Sequence, residues 1–280
     1  MMLALLSIMI VLAINSCLLD GGAEGLKFYL LPSWERFSEA GFGNVVVAAM
    51  NQSFFSLSLG IGAMAIFGSY LEKDRTLMGE AVNIVFLDTF VAFTAGLIIF
   101  PAYSAYGVQP DSGAPLIFKT LPNIFNNMVG GRIWGSLFFV FMSFAALSTV
   151  FAVFENIVAC VRDLTGWERK KASFLTGIAL AILCMPCVLG LTVLSDVKIM
   201  GLSIMDFEDF LVNNILLPLG ALIFTLFCVS RYGWGWDKFM AEANEGKGLK
   251  VAKWMRPYVT YVIPVIIDFI FVYGLYNFFK

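Results

Sequence analysis

Long apolar segments alternate along the chain with shorter segments that carry most of its charged residues. A helix that crosses the roughly 30 Å core of a bilayer needs about 20 predominantly apolar residues. By that criterion the pattern predicts seven transmembrane helices, over residues 2–19, 42–69, 80–104, 133–161, 172–193, 207–230 and 257–278. The expected fold class is an all-α polytopic membrane protein, in which residues 1–280 form a single transmembrane domain.

Two kinds of segment need a separate interpretation. Residues 2–19 lack the basic region and the small-x-small cleavage site of a signal peptide, so we interpret them as a retained helix. Residues 20–41 mix aromatic and charged side chains, as segments at a membrane interface do. Residues 112–130 repeat apolar positions at helical spacing but are too few to span, which predicts one or two short outer helices.

Composition excludes the main alternative protein classes. Of the 280 residues, 60% are apolar and 14% are charged, and the mean hydropathy is +0.85. A soluble domain has about 25% charged residues, so neither a soluble nor a disordered chain fits. The absence of histidine excludes any site built on an imidazole, and a net charge of −2 does not favour nucleic-acid binding. Cys184 and Cys187 lie in an apolar run, so we interpret them as membrane-buried thiols rather than a redox or zinc pair.

The distribution of Lys and Arg predicts an orientation. Three loops, over residues 70–79, 162–171 and 231–256, hold 12 of the 18 basic residues. Short loops rich in Lys and Arg lie on the cytoplasmic side of a membrane. We therefore expect a multi-pass protein of the cell inner (plasma) membrane, with a cytoplasmic N-terminus and the C-terminus outside.

The second predicted span has an unusual middle, which reads NQSFFSLSLGIG over residues 51–62. Each glycine costs a helix about 1 kcal/mol relative to alanine, and serine side chains compete for backbone hydrogen bonds. This favours a broken helix that is unwound at about residues 56–61, a device that transporters use to bind substrates and ions. Close helix packing through small residues explains the same pattern, and the spacing alone does not decide between the two.

Acidic and hydroxyl side chains inside the other spans are the remaining candidates for chemistry. Asp88 lies within an apolar helix, where a charge costs about 2.5–3.5 kcal/mol, so it is expected to face sodium, a pathway or a hydrogen-bonding helix. Ser148 and Thr149 form a hydroxyl pair, and Glu155 lies further along the same helix face. Asp268 is interpreted as part of a structural pair. An intramembrane aspartyl enzyme would need a Gly-x-Gly-Asp context that neither aspartate has, so we expect no enzyme.

Four motifs together resemble one family. Residues 51–62 resemble the sixth helix of the neurotransmitter:sodium symporters, and FKTLP at 118–122 with Gly130 and Gly131 resembles their fourth outer loop. FAALST at 144–149 resembles their eighth helix, and NILLPLG at 214–220 resembles the tenth helix of bacterial members. The chain is thus similar to helices five to eleven of the bacterial eleven-helix branch, the C-terminal part of an inverted-repeat transporter fold.

This resemblance implies a sodium-coupled symporter of neutral, largely apolar amino acids. Helices one to four have no counterpart in these residues, so the alternative is a truncated or split, non-transporting membrane fragment that needs those N-terminal helices in cis or in trans. Met1 would then be a misassigned start, the result of an interrupted reading frame, or the beginning of the second part of a split protein. The other expected partners are the amino-acid substrate and the lipid bilayer, with no nucleic acid.

The resemblance also implies residue roles. Substrate contacts fall on Phe55, Ser58, Ile61, Thr149 and Val153. Ligands of a first sodium ion fall on Ser56 and Asp88, and those of a second on Ala145 (through its carbonyl), Ser148 and Thr149. Gln52 falls beside the chloride position of animal members, where Ala92 replaces a serine, so the chloride site looks incomplete. The outer-gate acid falls on Asp209, or failing that Asp206, and Glu155 matches an acid of many animal members.

Overall fold

The structure is a computed structural model that describes residues 2–106, 117–118, 121–127 and 130–279. The helices of the first half are α1 (Met2–Cys17), α2 (Gly22–Leu30), α3 (Trp34–Ala40), α4 (Phe42–Ser56), α5 (Ala63–Ser69), α6 (Leu77–Tyr106), α7 (Leu121–Asn127) and α8 (Gly131–Thr165). Those of the second half are α9 (Arg169–Leu183), α10 (Met185–Gly190), α11 (Ile204–Leu211), α12 (Leu217–Val229), α13 (Trp236–Ala243), α14 (Met255–Pro257) and α15 (Ile263–Phe279). Two π-helical segments, Val212–Leu216 and Tyr258–Val262, join α11 to α12 and α14 to α15.

Among the described residues, five helical segments are long and apolar enough to cross a membrane. They are Leu77–Ala105, Gly131–Thr165, Arg169–Gly190, Ile204–Val229 and Met255–Phe279. A sixth is present if the pair Leu6–Cys17 and Gly22–Leu30, which bends by 115°, forms one span. The polytopic helical fold is thus confirmed, whereas the count of seven is not. Residues 42–69 are not counted because they are divided between α4 and α5, and neither is long enough to span alone.

Residues 20–41, which the sequence analysis assigned to a membrane interface without predicting any helix, contain α2 and α3. The chain turns at Gly21, whose φ of +88° suits glycine. Helix α2 then packs on α6: a Cβ at Gly25 would overlap the carbonyl of Phe100, and the ring of Tyr29 stacks on that of Phe100 at 4.8 Å between centroids. The two helices can approach this closely because Gly25 has no side chain.

The segment predicted to hold short outer helices is only partly described. Helix α7 lies within it, whereas residues 112–116, 119–120 and 128–129 lie outside the described residues. Phe125 of α7 packs against Phe138 of α8, with ring centroids 5.5 Å apart. This contact attaches the short helix to a membrane-length one.

The chain divides into two compact units. The first comprises Met1–Glu39 and Phe86–Val150, and the second comprises Ala40–Val85 and Phe151–Lys280. The buried core of the first unit includes Met9, Leu12, Ile98, Phe125 and Phe141. The second unit has one core around Phe54, Leu217 and Ile270 and another around Trp236 and Val251.

A small β-hairpin precedes α11. Strand β1 (Lys198–Ile199) pairs antiparallel with β2 (Leu202–Ser203), in the register Lys198 with Ser203 and Ile199 with Leu202. Met200 and Gly201 connect the strands with φ values of +52° and +85°. Positive φ at both central residues is the signature of a type I′ turn. Met-Gly lacks the usual Asn or Asp at the first position, so the sequence predicted no hairpin here.

Candidate functional site

The span over residues 42–69 is broken between α4 and α5. Ser58 has a φ of +53°, and Gly60 and Gly62 both have a φ of +87°. Leu59 donates its N–H to the carbonyl of Phe54 at 2.9 Å, and Ser58 donates to that of Phe55 at 3.1 Å, so α4 ends in a Schellman motif with Ser58 in the left-handed conformation. The predicted broken helix is therefore confirmed, with the non-helical stretch at residues 57–62 rather than 56–61.

Close packing through glycine occurs at the same place as the break. A Cβ at Gly60 would overlap the carbonyl of Leu217, and a Cβ at Gly220 of α12 would overlap the carbonyl of Gly60. The backbone of the opened segment thus lies directly on α12. The two explanations of the sequence pattern, unwinding and small-residue packing, are both correct, because Gly60 meets both requirements.

Asn156 of α8 also binds the opened segment, a role that the sequence analysis did not predict. Its Nδ2 donates to the carbonyl of Ile61 at 3.0 Å, and the residue is only 5% exposed. A carbonyl freed from a helix inside a membrane needs such a partner, because lipid offers none. The only feature of the sequence that could have indicated this role is that Asn156, directly after Glu155, is a polar residue in an otherwise apolar run. Within the described residues its Oδ1 is buried and accepts no hydrogen bond.

Amide side chains also anchor α4 within the second unit. Asn51 Nδ2 donates to Asn214 Oδ1 at 3.2 Å, and Asn214 lies in the π-helical segment before α12. Near the other end of α4, Asn44 Oδ1 accepts from the Tyr273 hydroxyl at 2.9 Å and from Asn277 Nδ2 at 3.0 Å. These contacts fix the helix that leads into the break, whereas α8 supplies the partner of the break itself.

In the first unit, three of the predicted sodium ligands come together within one turn of α8. The Ser148 hydroxyl donates to the carbonyl of Ala145 at 2.7 Å, and the Thr149 hydroxyl lies 3.4 Å from the same carbonyl oxygen. Each hydroxyl oxygen keeps lone pairs that can face a cation. Such a cluster of neutral oxygens suits a hard monovalent cation.

The other predicted ion and substrate residues are divided between the two units. Ser56, at the end of α4, belongs to the second unit, and Asp88 of α6 belongs to the first. Phe55 and Ile61 flank Ser58 in the second unit, with side chains 51% and 39% exposed. Val153 also lies in the second unit, and Thr149 lies in the first. The first sodium site and the substrate site, which draw residues from both units, therefore remain predictions.

Glu155 has two partners that the sequence did not indicate. Arg169 Nη2, at the start of α9, donates to both carboxylate oxygens at 3.0 and 2.9 Å, and the Tyr70 hydroxyl donates to Oε1 at 3.2 Å. This charge-assisted contact links the end of α5 to α8 and α9 in the second unit. Glu155 is therefore a connecting residue near the break, and its predicted role at a gate or anion site remains untested.

The remaining predicted acids differ in their surroundings. Ser203 Oγ accepts from the N–H of Asp206 at 3.1 Å and so caps α11, and the same hydroxyl donates to Asp206 Oδ2 at 2.7 Å. Asp209 is exposed one turn further along. Asp268 is exposed on α15 and forms no ion pair among the described residues, so the structural pair expected for it is not observed.

The other neighbours of the predicted anion position, Gln52 and Ala92, are both exposed, on α4 and α6 respectively. Within the described residues no three Cys, Asp or Glu side chains are grouped as they would be for a transition metal.

Comparison with known proteins places this arrangement in one family. The model of the sodium:neurotransmitter symporter family matches residues 2–280. The uncharacterized sodium-dependent transporter YhdH of Bacillus subtilis is 33% identical over 99% of this chain and 61% of its own length. The sodium-dependent serotonin transporter of Drosophila melanogaster is 26% identical over 96% of this chain and 43% of its own length. The chain thus spans only about three fifths of the bacterial relative.

A solved structure shows the same fold. The crystal structure of MhsT in complex with L-phenylalanine superimposes with a TM-score of 0.84 and 37% sequence identity. The match covers 96% of this chain and 60% of MhsT. The helical arrangement described above is therefore that of a solved transporter structure over nearly all of these residues.

Proposed function

The chain belongs to the sodium:neurotransmitter symporter family, and on this premise we propose that the protein containing these residues is a sodium-coupled symporter of neutral, largely apolar amino acids. The broken helix is the observation that carries the proposal. An opened backbone at residues 57–62, inside an otherwise apolar span, leaves N–H and C=O groups for a zwitterionic ligand. A helix with a purely structural role, or one that only faces lipid, does not require such an opened backbone.

The side chains near the break support the choice of substrate. Phe55 and Ile61 are apolar and exposed, and Ser58 and Val153 add no charge. Without a side-chain charge, this part of the site has no partner for a charged substrate side chain. MhsT, whose solved structure contains L-phenylalanine, shares the fold over 96% of this chain.

Sodium is the proposed coupling ion, with Ser56 and Asp88 for the first ion and the Ala145, Ser148 and Thr149 cluster for the second. The membrane potential would contribute about 2.3 kcal/mol per charge per 100 mV to inward transport. The proposal retains Asp209 as the outer-gate acid and the orientation with a cytoplasmic N-terminus. Lys73 and Glu245, 3.1 Å apart, join two of the loops predicted to be cytoplasmic, as loops on one side of a membrane can. Their hydrogen bond raises the pKa of the Lys73 ammonium.

The test is uptake into proteoliposomes with an imposed inward sodium gradient. We expect saturable accumulation of labelled leucine that stops when potassium replaces sodium. Unlabelled phenylalanine, tyrosine or tryptophan should compete, and glutamate or lysine should not. Equal competition by a charged amino acid would contradict the proposed substrate class, and sodium-independent uptake would contradict the coupling.

The same assay separates the two functional alternatives. We expect the 280-residue chain alone to show no sodium-driven uptake, because the resemblance places other ligands on helices one to four. Uptake should appear when those helices are supplied in cis or in trans. Full activity of the chain alone would overturn the fragment interpretation while leaving the transport proposal in place.

A further inference from the structure

A cavity of about 680 Å³ lies within the second unit, behind the broken helix. Its walls come from α4 and α5, from α12, from α13, and from the last span. Ser58 is the single predicted substrate residue on its wall; Phe55 and Ile61 do not line it. The cavity therefore shares Ser58 with the proposed substrate residues but not Phe55 or Ile61.

The wall offers almost no polar chemistry. Phe54, Met64 and Phe224 are typical lining side chains. The Thr225 hydroxyl, which also lines the cavity, already donates to the carbonyl of Ala221 at 2.8 Å. The other polar groups on the wall are few, so a polar ligand would lose more hydration here than it regains in hydrogen bonds, whereas an apolar chain would not. The volume is within the range of a ligand pocket, about 300–1,000 Å³.

The extent of the cavity matches one leaflet of a bilayer. The residues of the last span that line the cavity run from Tyr258 to Ile267. These two residues are nine positions apart, a distance of about 13 Å along a helix. Half of a hydrocarbon core of roughly 30 Å is close to this distance. Phe224 and Tyr258 are 42% and 44% exposed, so the cavity reaches the surface of the unit.

Charged and aromatic residues lie at the Tyr258 end. Arg256 precedes Tyr258 by two residues in α14, and Trp254 and Lys253 precede Arg256. Trp254 is 71% exposed, and both basic side chains are also exposed. Aromatic residues beside Lys and Arg are typical of the membrane interface, where each basic residue attracts anionic lipid by about 1 kcal/mol.

We propose that this cavity binds one acyl chain of an anionic phospholipid, whose head group contacts Lys253 and Arg256. The acyl chain would pack against Gly60 and Gly62, where the backbone of the broken helix changes direction. An occupied cavity would therefore stabilise the present arrangement of α5 relative to α4. This lipid site shares only Ser58 with the proposed substrate residues, and its test does not depend on uptake.

The test measures lipid retention by native mass spectrometry, after incubation of the protein with equimolar phosphatidylglycerol and phosphatidylcholine in a neutral detergent. We expect one phosphatidylglycerol molecule to stay bound, and phosphatidylcholine to bind about tenfold less. Ala65→Leu narrows the cavity from α5 and should abolish this retention. Ala181→Leu, the same change on an exposed position of α9 outside the cavity, should retain the lipid.

The head-group contact and the position of the chain have their own measurements. Lys253→Gln with Arg256→Gln should reduce phosphatidylglycerol to the level of phosphatidylcholine, whereas Lys170→Gln should not. In the unaltered protein, bound phosphatidylglycerol should slow alkylation of Cys228, which lines the cavity. Equal retention by the Ala65→Leu variant, or no protection of Cys228, would overturn the site. Equal binding of the two lipids would overturn the anionic assignment.

Discussion

Two neighbouring spans of this protein offer oxygen atoms to a ligand in opposite ways. The span of α4 and α5 opens its backbone over residues 57–62, so that main-chain groups lose their helical partners. Helix α8 stays continuous from Gly131 to Thr165, and its hydroxyls at Ser148 and Thr149 gather around one carbonyl. The first span depends on partners elsewhere in the chain, and the second is self-contained.

The difference shows where each arrangement is vulnerable. The opened segment relies on glycine at contacts with α12 and on Asn156 for the carbonyl of Ile61. The cluster on α8 needs only the local helix, since the atoms that form it are within four residues of one another. Changes at the contacts that hold the break, including Asn156, should therefore affect folding, whereas changes at Ser148 and Thr149 should affect ion binding with little effect on stability.

Gly60→Ala should have the largest effect. Residue 60 has a φ of +87°, and a left-handed backbone costs a non-glycine residue about 1–2 kcal/mol. The new Cβ would also overlap the carbonyl of Leu217, which adds a steric cost. We expect a large fall in the thermal midpoint in detergent and loss of uptake. Gly68→Ala on α5 is the control, because no atom lies within 4 Å of its Cβ and alanine favours a helix. Equal behaviour of the two variants would contradict the role of Gly60.

Asn156→Ala should have the next largest effect. It removes the donor to the Ile61 carbonyl from a half-buried hydrogen bond, which costs about 1–3 kcal/mol. Chemical unfolding in detergent would measure the loss. Asn83→Ala removes an exposed asparagine from α6 and should stay within about 0.5 kcal/mol of wild type. If Asn156→Ala is equally harmless, the opened segment does not depend on α8.

Ser148→Ala and Thr149→Val test the self-contained helix. Each removes one proposed sodium ligand. With helices one to four supplied, we expect the sodium concentration for half-maximal uptake to rise about tenfold, or about 1.4 kcal/mol. The thermal midpoint should hardly change. Ser143→Ala removes an exposed hydroxyl that also donates to the carbonyl of its own helix, at 2.8 Å, and should leave the sodium dependence unaltered. A similar shift for Ser143→Ala would mean that the effect belongs to the helix and not to the site.

The smallest expected effect concerns chloride. An ionised Asp88 beside sodium would repel a second anion by several kcal/mol at low dielectric. In the protein supplied with helices one to four, gluconate in place of chloride should therefore leave initial uptake nearly unchanged. Asp88→Asn should weaken sodium binding. Adding Ala92→Ser to that variant should create chloride dependence, and Ala92→Ser alone should not. A tenfold loss of wild-type uptake in gluconate would refute Asp88 as the built-in anion.

Local features of the chain predicted much of this arrangement. Apolar length predicted the membrane-crossing class, and serine next to two glycines predicted the break to within one residue. The same reasoning overcounted the spans, since apolar length does not show whether a run is one straight helix or two short ones. It also missed α2 and α3, because charged and aromatic residues at an interface are compatible with either loop or helix.

What the sequence alone determined is therefore what depends on neighbours along the chain: hydropathy, helix propensity and the places where a helix is weak. The tertiary structure alone decided the partners. Asn156 meets Ile61 across 95 positions, and Asn51 meets Asn214 across 163. A carbonyl freed inside a membrane must find a donor, but many asparagines along the chain could supply it. Only the packing of whole helices brings one of them within 3.0 Å.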